Sequence, residues 1–192
     1  MSEGAGDLPD LRLQPVDSRA QSSLWNEYVH RYHYLGYQPL PGAQLRYLIT
    51  SADQILGVLG FGAAAWKTAP RDQWIGWTGE PRERNLHQVV NNARFLILPW
   101  VESRNLASKV LSMAAHRLAA DWEQAYSFRP VLIETFVQKD RFAGTCYKAA
   151  NWTYLGDTRG RGKLDVRHHN ALPIKAVFVY PIVPDFRSRL VQ

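Results

Sequence analysis

The feature that most constrains the fold is a long amphipathic segment between two short apolar runs. The segment covers residues 105–126, and its apolar side chains recur at spacings of three to five, as on one face of a helix. The apolar runs, 93–100 before it and 131–137 after it, are typical of strands. The sequence therefore predicts a strand–helix–strand crossover within a sheet that helices cover. The apolar side chains of the predicted helix are Leu106, Val110, Met113, Leu118 and Trp122.

The rest of the chain predicts a single α/β domain, of the α+β kind, over residues 21–192 after a flexible arm over 1–20. Two strands joined by a short connection come first, so we expect a mixed, mostly antiparallel sheet. Residues 67–90 show no clean period and are predicted to form a long loop with one short helix. The other predicted elements are a helix over 24–32 capped by Ser22 or Ser23, strands over 45–49 and 55–61, a helix over 142–151 and a last strand over 176–180.

Composition narrows the class of protein. No apolar run is long enough to cross a membrane, and the small, acidic N-terminus is unlike a signal peptide, so we expect a cytoplasmic protein. Cys146 is the only cysteine, which excludes an intramolecular disulfide framework and a cysteine-based zinc site. The net charge of +6, together with seven Trp and nine Tyr, makes DNA or RNA a candidate partner.

Eight stretches of the chain, taken together, are similar to one protein family. They are 32–37, 45–48, 71–77, 91–101, 105–108, 134–137, 141–152 and 160–163. The similarity covers roughly residues 22–181 and includes the runs NNARFLILPWV and RFAGTCYKAANW. On these residues the sequence resembles the family of the Druantia anti-phage protein DruA, which is often found near transposase genes. The resemblance implies work in anti-phage defence or in a mobile element, with nucleic acid or other defence-system proteins as partners.

A second resemblance concerns the order of elements and two short motifs. The first motif is Glu102-Ser103-Arg104-Asn105-Leu106-Ala107, and the second is Tyr147-Lys148-Ala149-Ala150-Asn151-Trp152. They resemble the pyrophosphate loop, Gln/Arg-x-x-Gly-x-Gly/Ala, and the Tyr-x-x-x-Gly-Phe motif of the GNAT acyltransferases. The resemblance implies a GNAT-like sheet with helices on both faces, and Tyr147 as the acid that protonates a departing thiolate. It also implies cofactor contacts at Asn105, Leu106, Ala107 and Ser108.

The pyrophosphate loop is degenerate in this chain. Asn105 stands where the pattern has a glycine, and Glu102 would repel a pyrophosphate. Acyl-CoA is therefore one candidate cofactor, and the identity of the donor stays open.

Four residues are candidates for catalysis, and each also has a purely structural interpretation. Glu134 lies inside an apolar strand, so it is either a general base at a cleft or a paired or solvent-facing side chain. Tyr147 is either the acid named above or a core residue. His33, between two tyrosines, is a base, a substrate contact or a packed ring, and Cys146 is a nucleophile or a small buried residue.

Two groups of residues are predicted to line a substrate pocket. Two tryptophans and an aspartate in the 67–90 segment suit a wall around a nucleobase, although a self-packed loop explains them equally well. Two asparagines and an arginine before the next strand either bond the edge of a base or shape a turn. The predicted pocket residues are Asp72, Trp74, Trp77, Asn91, Asn92 and Arg94.

The densest positive run lies near the C-terminus, where glycines alternate with cations. Glycines let the backbone approach a phosphate and cations neutralise it, so this run is predicted to bind nucleic acid or another phosphate, with a solvated loop as the alternative. Its cations are Arg159, Arg161, Lys163 and Arg167. The adjacent histidine pair, 168–169, is too isolated to indicate a metal, and no metal site is predicted.

Two functional hypotheses follow. The first is a GNAT-like transferase of an acyl or related group that acts on a nucleic acid, a nucleotide or a small amine, with Glu134 as base and Tyr147 as acid. The alternative is a non-catalytic nucleic-acid-binding module of a defence or mobile-element system. A metal-dependent nuclease is disfavoured, because the carboxylates are scattered along the sequence.

Overall fold

In the computed structural model, which describes residues 4–5, 8–160 and 172–192, the strands form a seven-stranded sheet with the order β1-β2-β3-β4-β5-β7-β6. The strands are β1 (Arg12–Pro15), β2 (Leu45–Ser51), β3 (Gln54–Ala63), β4 (Val89–Ile97), β5 (Leu132–Gln138), β6 (Thr153–Asp157) and β7 (Lys175–Pro181). The helices are α1 (Arg19–Tyr32), α2 (Ala69–Ile75), α3 (Gly79–Asn85), α4 (Leu106–Tyr126), α5 (Thr145–Ala149) and α6 (Phe186–Val191).

Helices cover both faces of the sheet. Successive strand residues point to opposite faces, and here both faces carry apolar side chains that must be buried. Val90 and Ile133 pack in one core with α4 and α5, and their neighbours Val89 and Leu132 pack in another with α2 and α6. A third, smaller cluster packs Trp25 of α1 against Leu48 of β2 and Val58 of β3. The mixed, mostly antiparallel sheet with helices on both faces is confirmed.

The parallel pair β4–β5 is connected by α4, as the crossover predicts, and it is paired over only part of its length. Val89, Val90 and Asn91 pair with Leu132, Ile133 and Glu134, after which the two strands separate. On its other edge, β4 stays paired with β3, but the register shifts so that Ala93 is an extra residue between the pairs Phe61–Asn92 and Gly60–Arg94. Such a bulge bends a strand and re-aims its side chains. We call residues 89–91 and 132–134 the closed end of the β4–β5 pair, and residues 92–97 and 135–138 its open end.

The structure departs from the expected flexible arm at its C-terminal half. Residues 12–15 form β1, an edge strand paired with β2, and Leu13 is buried. Helix α1 begins at Arg19, earlier than predicted, because Ser18 and Gln21 form a capping box. The predicted caps at residues 22 and 23 therefore lie inside the helix.

The predicted long loop over 67–90 contains more structure than expected. Helix α2 has a proline in its first turn and ends at Gly76 in the left-handed conformation, and α3 follows. Strand β4 begins at Val89, four residues before the predicted start. Its first residues carry asparagines rather than an uninterrupted apolar run, which explains why the strand pattern began late.

A glycine, Gly144, lets the short helix α5 approach the sheet closely near the open end. Gly144 adopts φ of +68°, and a Cβ atom there would lie 2.9 Å from the ring of Phe178. Only glycine fits both the backbone conformation and the space. The close approach places Tyr147, on the first turn of α5, against the sheet at the point where β4 and β5 separate.

Candidate functional site

A cleft of about 780 Å³ opens where β4 and β5 separate. Residues 92–97 of β4 form one wall, residues 135–137 of β5 and 141–147 the other, and residues 32–35 at the end of α1 cover part of the opening. Beyond Asn91, β4 has no strand partner on its β5 side. Side chains already donate to the backbone oxygens of Asn92, Ala93 and Arg94. The remaining backbone N–H and C=O groups on this edge are open to whatever enters the cleft.

The base of the cleft holds a hydrogen-bonded group of three polar side chains. Tyr147 donates its hydroxyl to Oδ1 of Asn92 at 2.8 Å, and Thr135 donates to the backbone oxygen of Asn92 at 3.0 Å. Asn92 in turn donates to the backbone oxygens of Gly60 and Arg94, which fixes its orientation at the bulge. Burial raises the pKa of Tyr147 well above its ordinary value, so the phenol keeps its proton.

Three basic side chains line the cleft. Arg94 lies on β4, Arg141 lies in the connection that follows β5, and Lys175 begins β7. Burial and the nearby charge of Arg94 lower the pKa of Lys175. No described carboxylate forms an ion pair with any of the three, so the cleft carries a concentration of positive charge.

Predicted catalytic residues His33 and Cys146 both line the cleft. Burial and the charge of Arg94 lower the pKa of His33 to about 4, so the ring is neutral at pH 7, and its Nδ1 accepts the N–H of Leu35 at 3.3 Å. Burial raises the pKa of the Cys146 thiol, which opposes formation of the thiolate that a nucleophile needs. Their catalytic roles stay predictions.

Glu134 lies at the closed end and is fully buried. Its Oε2 accepts a hydrogen bond from Nη1 of Arg71 at 2.7 Å, and its Oε1 accepts one from the backbone N–H of Ala65 at 2.7 Å. Arg71, also fully buried, bonds Asp72 and the backbone oxygen of Ala65 as well. Burial raises the pKa of Glu134, and the charge of Arg71 opposes that rise. Both carboxylate oxygens are therefore occupied, and Glu134 does not line the cleft.

The predicted pocket residues fall into two separate places. Asn91, Asn92 and Arg94 line the cleft. The aspartate and the two tryptophans of the 67–90 segment do not: Trp74 stacks on Phe186 at 4.9 Å between ring centroids, and Trp77 is buried. Nε1 of Trp77 donates to Asp72, the partner of Arg71, so the self-packed alternative describes these side chains.

The predicted cofactor residues Asn105, Leu106, Ala107 and Ser108 form the N-terminal turn of α4, outside the cleft lining. Asn105 adopts φ of +65°, a conformation that the expected glycine would share. No described group accepts the N–H of Ala107 or Ser108. Ala5 lies against this turn, since its N–H donates to the backbone oxygen of Arg104 at 2.8 Å.

The predicted phosphate-binding cations lie mostly beyond the described part of the chain. Arg159 is exposed just after β6, and Arg161, Lys163 and Arg167 fall within residues 161–171, outside the described residues. Phosphate binding by this run stays a prediction.

Sequence reasoning did not single out Arg141, Lys175 or Thr135 as site residues. The resemblance contained Arg141 and Thr135, but their relation to Arg94 depends on which strands pair and where β4 and β5 separate. Lys175 comes to the cleft because β7 pairs with β5, with Lys175 opposite Gln138. A long-range antiparallel pairing of this kind leaves no local signal in the sequence.

Within the described ranges, no group of three or more histidine, cysteine, aspartate or glutamate side chains is placed to hold a metal ion. The same residues contain no helix with the length and apolar character needed to span a bilayer.

Comparison with solved structures defines the class of fold. The chain is similar to FeeM, an N-acyl amino acid synthase from uncultured soil microbes, at 12% identity and a TM-score of 0.51, with 97% of this chain and 96% of that chain covered. It is similar to the polyamine N-acetyltransferase of Drosophila melanogaster at 10% identity and a TM-score of 0.53, with 90% and 100% covered. It is similar to the aminoglycoside acetyltransferase AAC(6')-Ib in complex with coenzyme A at 14% identity and a TM-score of 0.53, with 89% and 93% covered. The fold is that of the GNAT acetyltransferases.

Within that fold class, a sequence comparison gives the family. The family described as Druantia protein DruA matches residues 1–172, so the chain belongs to the DruA family. No curated protein matches the chain in sequence.

Proposed function

We propose that the protein is an acyltransferase that holds an extended thioester donor in the cleft, along the unpaired edge of β4. The observation that carries the proposal is the open end itself: β4 continues to Ile97 without a partner on its β5 side. An extended amide-containing chain bonds such an edge as an added strand would. The GNAT fold supports acyl transfer as the reaction class.

Coenzyme A is the first donor to test, because part of the N-terminal turn of α4 suits its phosphates. The unbonded N–H groups of Ala107 and Ser108, at the N-terminus of a long helix, suit a phosphate, and Asn105 keeps the turn open as glycine would. When bound, coenzyme A supplies the acyl group as an activated thioester. Glu102 and the segment at Ala5 oppose a pyrophosphate at the same turn, so a carrier with a pantetheine arm and no nucleotide is the second donor to test.

Acyl transfer exchanges a C–S bond for a C–N or C–O bond, so the acceptor loses a proton to solvent and the departing thiolate gains one from a donor that solvent then reprotonates. Tyr147 is the proposed source of that second proton, since its hydroxyl is protonated and lies at the base of the cleft. Asn92 holds the hydroxyl in place, and Thr135, whose Oγ1 is 3.4 Å from the phenol oxygen, is the next polar group.

Glu134 is proposed as a positioning residue, although the sequence favoured it as the base. Its two oxygens hold Ala65 and Arg71, which fasten the connection between β3 and α2 to β5. Asn91, at the edge of the cleft, pairs with Glu134 in the sheet, so the buried ion pair lies beside the point where β4 and β5 separate.

The test uses water as the acceptor, so that no acceptor has to be known. Purified protein is incubated with acetyl-CoA and longer acyl-CoAs, and thiol release is followed as the loss of thioester absorbance, which leaves Cys146 in place. Tyr147→Phe should lower thiol release by about 10²- to 10⁴-fold. The matched control is Tyr154→Phe, which removes the exposed hydroxyl that bonds Asp157 and should leave the rate unchanged.

The same preparation is examined by thermal shift with acyl-CoAs, acyl-pantetheine, nucleotides, single-stranded DNA and tRNA. A ligand at about 100 times its Kd stabilises the folded state by about 2.7 kcal/mol. Stabilisation by neither thioester, together with no thiol release, would overturn the proposed function.

The second candidate function is nucleic-acid binding, favoured by the net charge of +6 and by three cleft cations without ion-pair partners among the described residues. It predicts binding that weakens steeply as salt rises. Reversing the charges of Arg159, Arg161 and Lys163 should then remove most of the affinity for single-stranded DNA or tRNA, and unchanged binding would count against it.

A further inference from the structure

The three basic side chains of the cleft come from different parts of the fold and face one space. Arg94 follows the bulge in β4, Arg141 lies after β5, and Lys175 is opposite Gln138 at the start of β7. The ring of Tyr34, from the end of α1, lies under Arg141 at 5.4 Å from its guanidinium carbon, which brings α1 into the same group.

Arg94, Arg141 and Lys175 have no carboxylate partner among the described residues. Burial and the charge of Arg94 lower the pKa of both His33 and Lys175, so the cleft resists further positive charge. Among the described residues, the carboxylate that faces this group is Asp140, which acts on Tyr34, and it forms no ion pair there. Elsewhere in the described chain, the fully buried cation Arg71 has two carboxylate partners. An anion in the cleft would supply the compensation that the described residues do not.

Arg94 also has unused hydrogen-bonding capacity. Its Nη1 donates to the backbone oxygen of Ala93 at 2.7 Å, while its Nε is buried and no described group accepts from it. Leaving a buried charged donor unbonded is costly, so a donor of this kind at a cleft is suited to a ligand or an ordered water. The planar guanidinium fork matches the two oxygens of a carboxylate or phosphate.

We propose that Arg94, Lys175 and Arg141 form an oxyanion-binding site, which receives a carboxylate or phosphate group carried by the acceptor of acyl transfer. The anion site follows from the cleft residues alone, and its assignment to the acceptor rests on the proposed function. The substrate class is thus a small amine or alcohol that also bears an oxyanion, and polynucleotides are the contrasting outcome.

The test compares three small primary amines: ethylamine, which bears no anion, glycine, which bears a carboxylate, and O-phosphoethanolamine, which bears a phosphate. Binding is measured by isothermal titration without any donor, at low ionic strength in a buffer free of phosphate and sulfate. Glycine or O-phosphoethanolamine should bind at least about 10-fold more tightly than ethylamine, and the tighter of the two identifies carboxylate or phosphate as the preferred group.

Two variants and two matched controls test the residues. Arg94→Met should weaken binding of the preferred amine by about 10- to 100-fold, and Lys175→Met by about 10-fold. The controls, Arg84→Met and Lys148→Met, remove the same charge from exposed positions that do not line the cleft and should change the affinity less than twofold.

Each outcome bears on a different claim. Equal binding of all three amines, or binding that Arg94→Met leaves unchanged, would overturn the oxyanion site. Binding of single-stranded DNA alone, insensitive to Arg94→Met, would overturn it in favour of a polynucleotide partner. Oxyanion binding that depends on Arg94, with neither thiol release from any thioester nor stabilisation by one, would uphold the site and refute the acyltransferase proposal.

Discussion

The two ends of the β4–β5 pair treat positive charge in opposite ways. At the closed end, Arg71 is fully buried and meets Glu134 and Asp72 at 2.7 Å each. At the open end, Arg94 has no carboxylate partner among the described residues and keeps a buried Nε unbonded. Among the described residues, the buried cation of the closed end is therefore compensated by carboxylates, and that of the open end is not.

Whether a buried polar side chain has its partners within the described chain distinguishes structural residues from functional candidates better than the type of residue does. A glutamate within an apolar strand suggests a base, yet both oxygens of Glu134 are committed to holding a loop. Arg94, in contrast, lines the cleft and keeps a buried donor that no described group accepts. Unsatisfied polar groups at a cleft are the stronger indication of a ligand.

The largest effect is expected from breaking the closed end. Arg71→Met leaves Glu134 buried without its cation, so the free energy of unfolding should fall by about 3 to 5 kcal/mol. Urea unfolding followed by tryptophan fluorescence measures it. Arg129→Met is the control, because it breaks an exposed pair with Glu123 and should cost less than about 1 kcal/mol. Equal losses in the two variants would contradict the structural role of the buried pair.

The polar group at the base of the cleft should give a smaller loss. Tyr147→Phe leaves Oδ1 of Asn92 buried without a donor, so the free energy of unfolding should fall by about 1 to 3 kcal/mol in the same assay. The free energy of unfolding of Tyr154→Phe, whose side chain is exposed, should be within about 0.5 kcal/mol of that of the unmodified protein. A stability of Tyr147→Phe equal to that of Tyr154→Phe would show that the hydroxyl bond contributes little.

Removing a cation from the open end should raise the free energy of unfolding rather than lower it. Arg94→Met relieves the repulsion on Lys175 and removes an unbonded buried donor, so in the absence of ligand it should raise the free energy of unfolding by about 1 kcal/mol. Arg84→Met serves as the control and should change stability by less than about 0.5 kcal/mol. A clear destabilisation by Arg94→Met would mean that the open end is compensated within the chain.

The smallest effect concerns pH. Between about pH 6.5 and about pH 4, the unfolded state binds a proton at His33 that the folded state refuses, because burial and Arg94 lower its pKa in the folded state. Stability should therefore fall as the pH drops through that window. The groups that face the ring are Arg94 and the stacked Tyr34, beside which Arg141 lies.

His33→Gln should reduce that loss by less than about 1 kcal/mol, since the ring is partly exposed to solvent. Unfolding in urea at pH 4.5 and at pH 7.5 measures the difference for the variant and for the unmodified protein. His116→Gln, on the exposed face of α4, is the control and should leave the difference unchanged. An identical pH dependence for both variants would contradict the low pKa.

Much of the fold could be predicted from the sequence, because its strongest patterns are local. The stripe of α4 and the hairpin of β2 and β3 have clear periods, and their bounds differ from prediction by a few residues at most. Strand β6 and helix α6 are short, and their patterns predicted no element.

The site was only partly predictable, because it depends on where two strands stop pairing. The sequence predicted Asn91, Asn92, Arg94, His33, Cys146 and Tyr147 as site residues, and the fold brings them to one cleft. Neither the partner of Glu134 nor the approach of Lys175 has a local signal, since each depends on contacts between residues distant in sequence.

The most direct test of the acyltransferase account is amide hydrogen exchange along β4, measured residue by residue by NMR with and without saturating acyl-CoA or acyl-pantetheine. If the donor lies along the open end, amides within residues 92–97 that face the cleft should exchange at least about 10-fold more slowly with donor, while those of residues 89–91 stay unchanged. Unchanged exchange over residues 92–97 in the presence of either thioester would contradict the account.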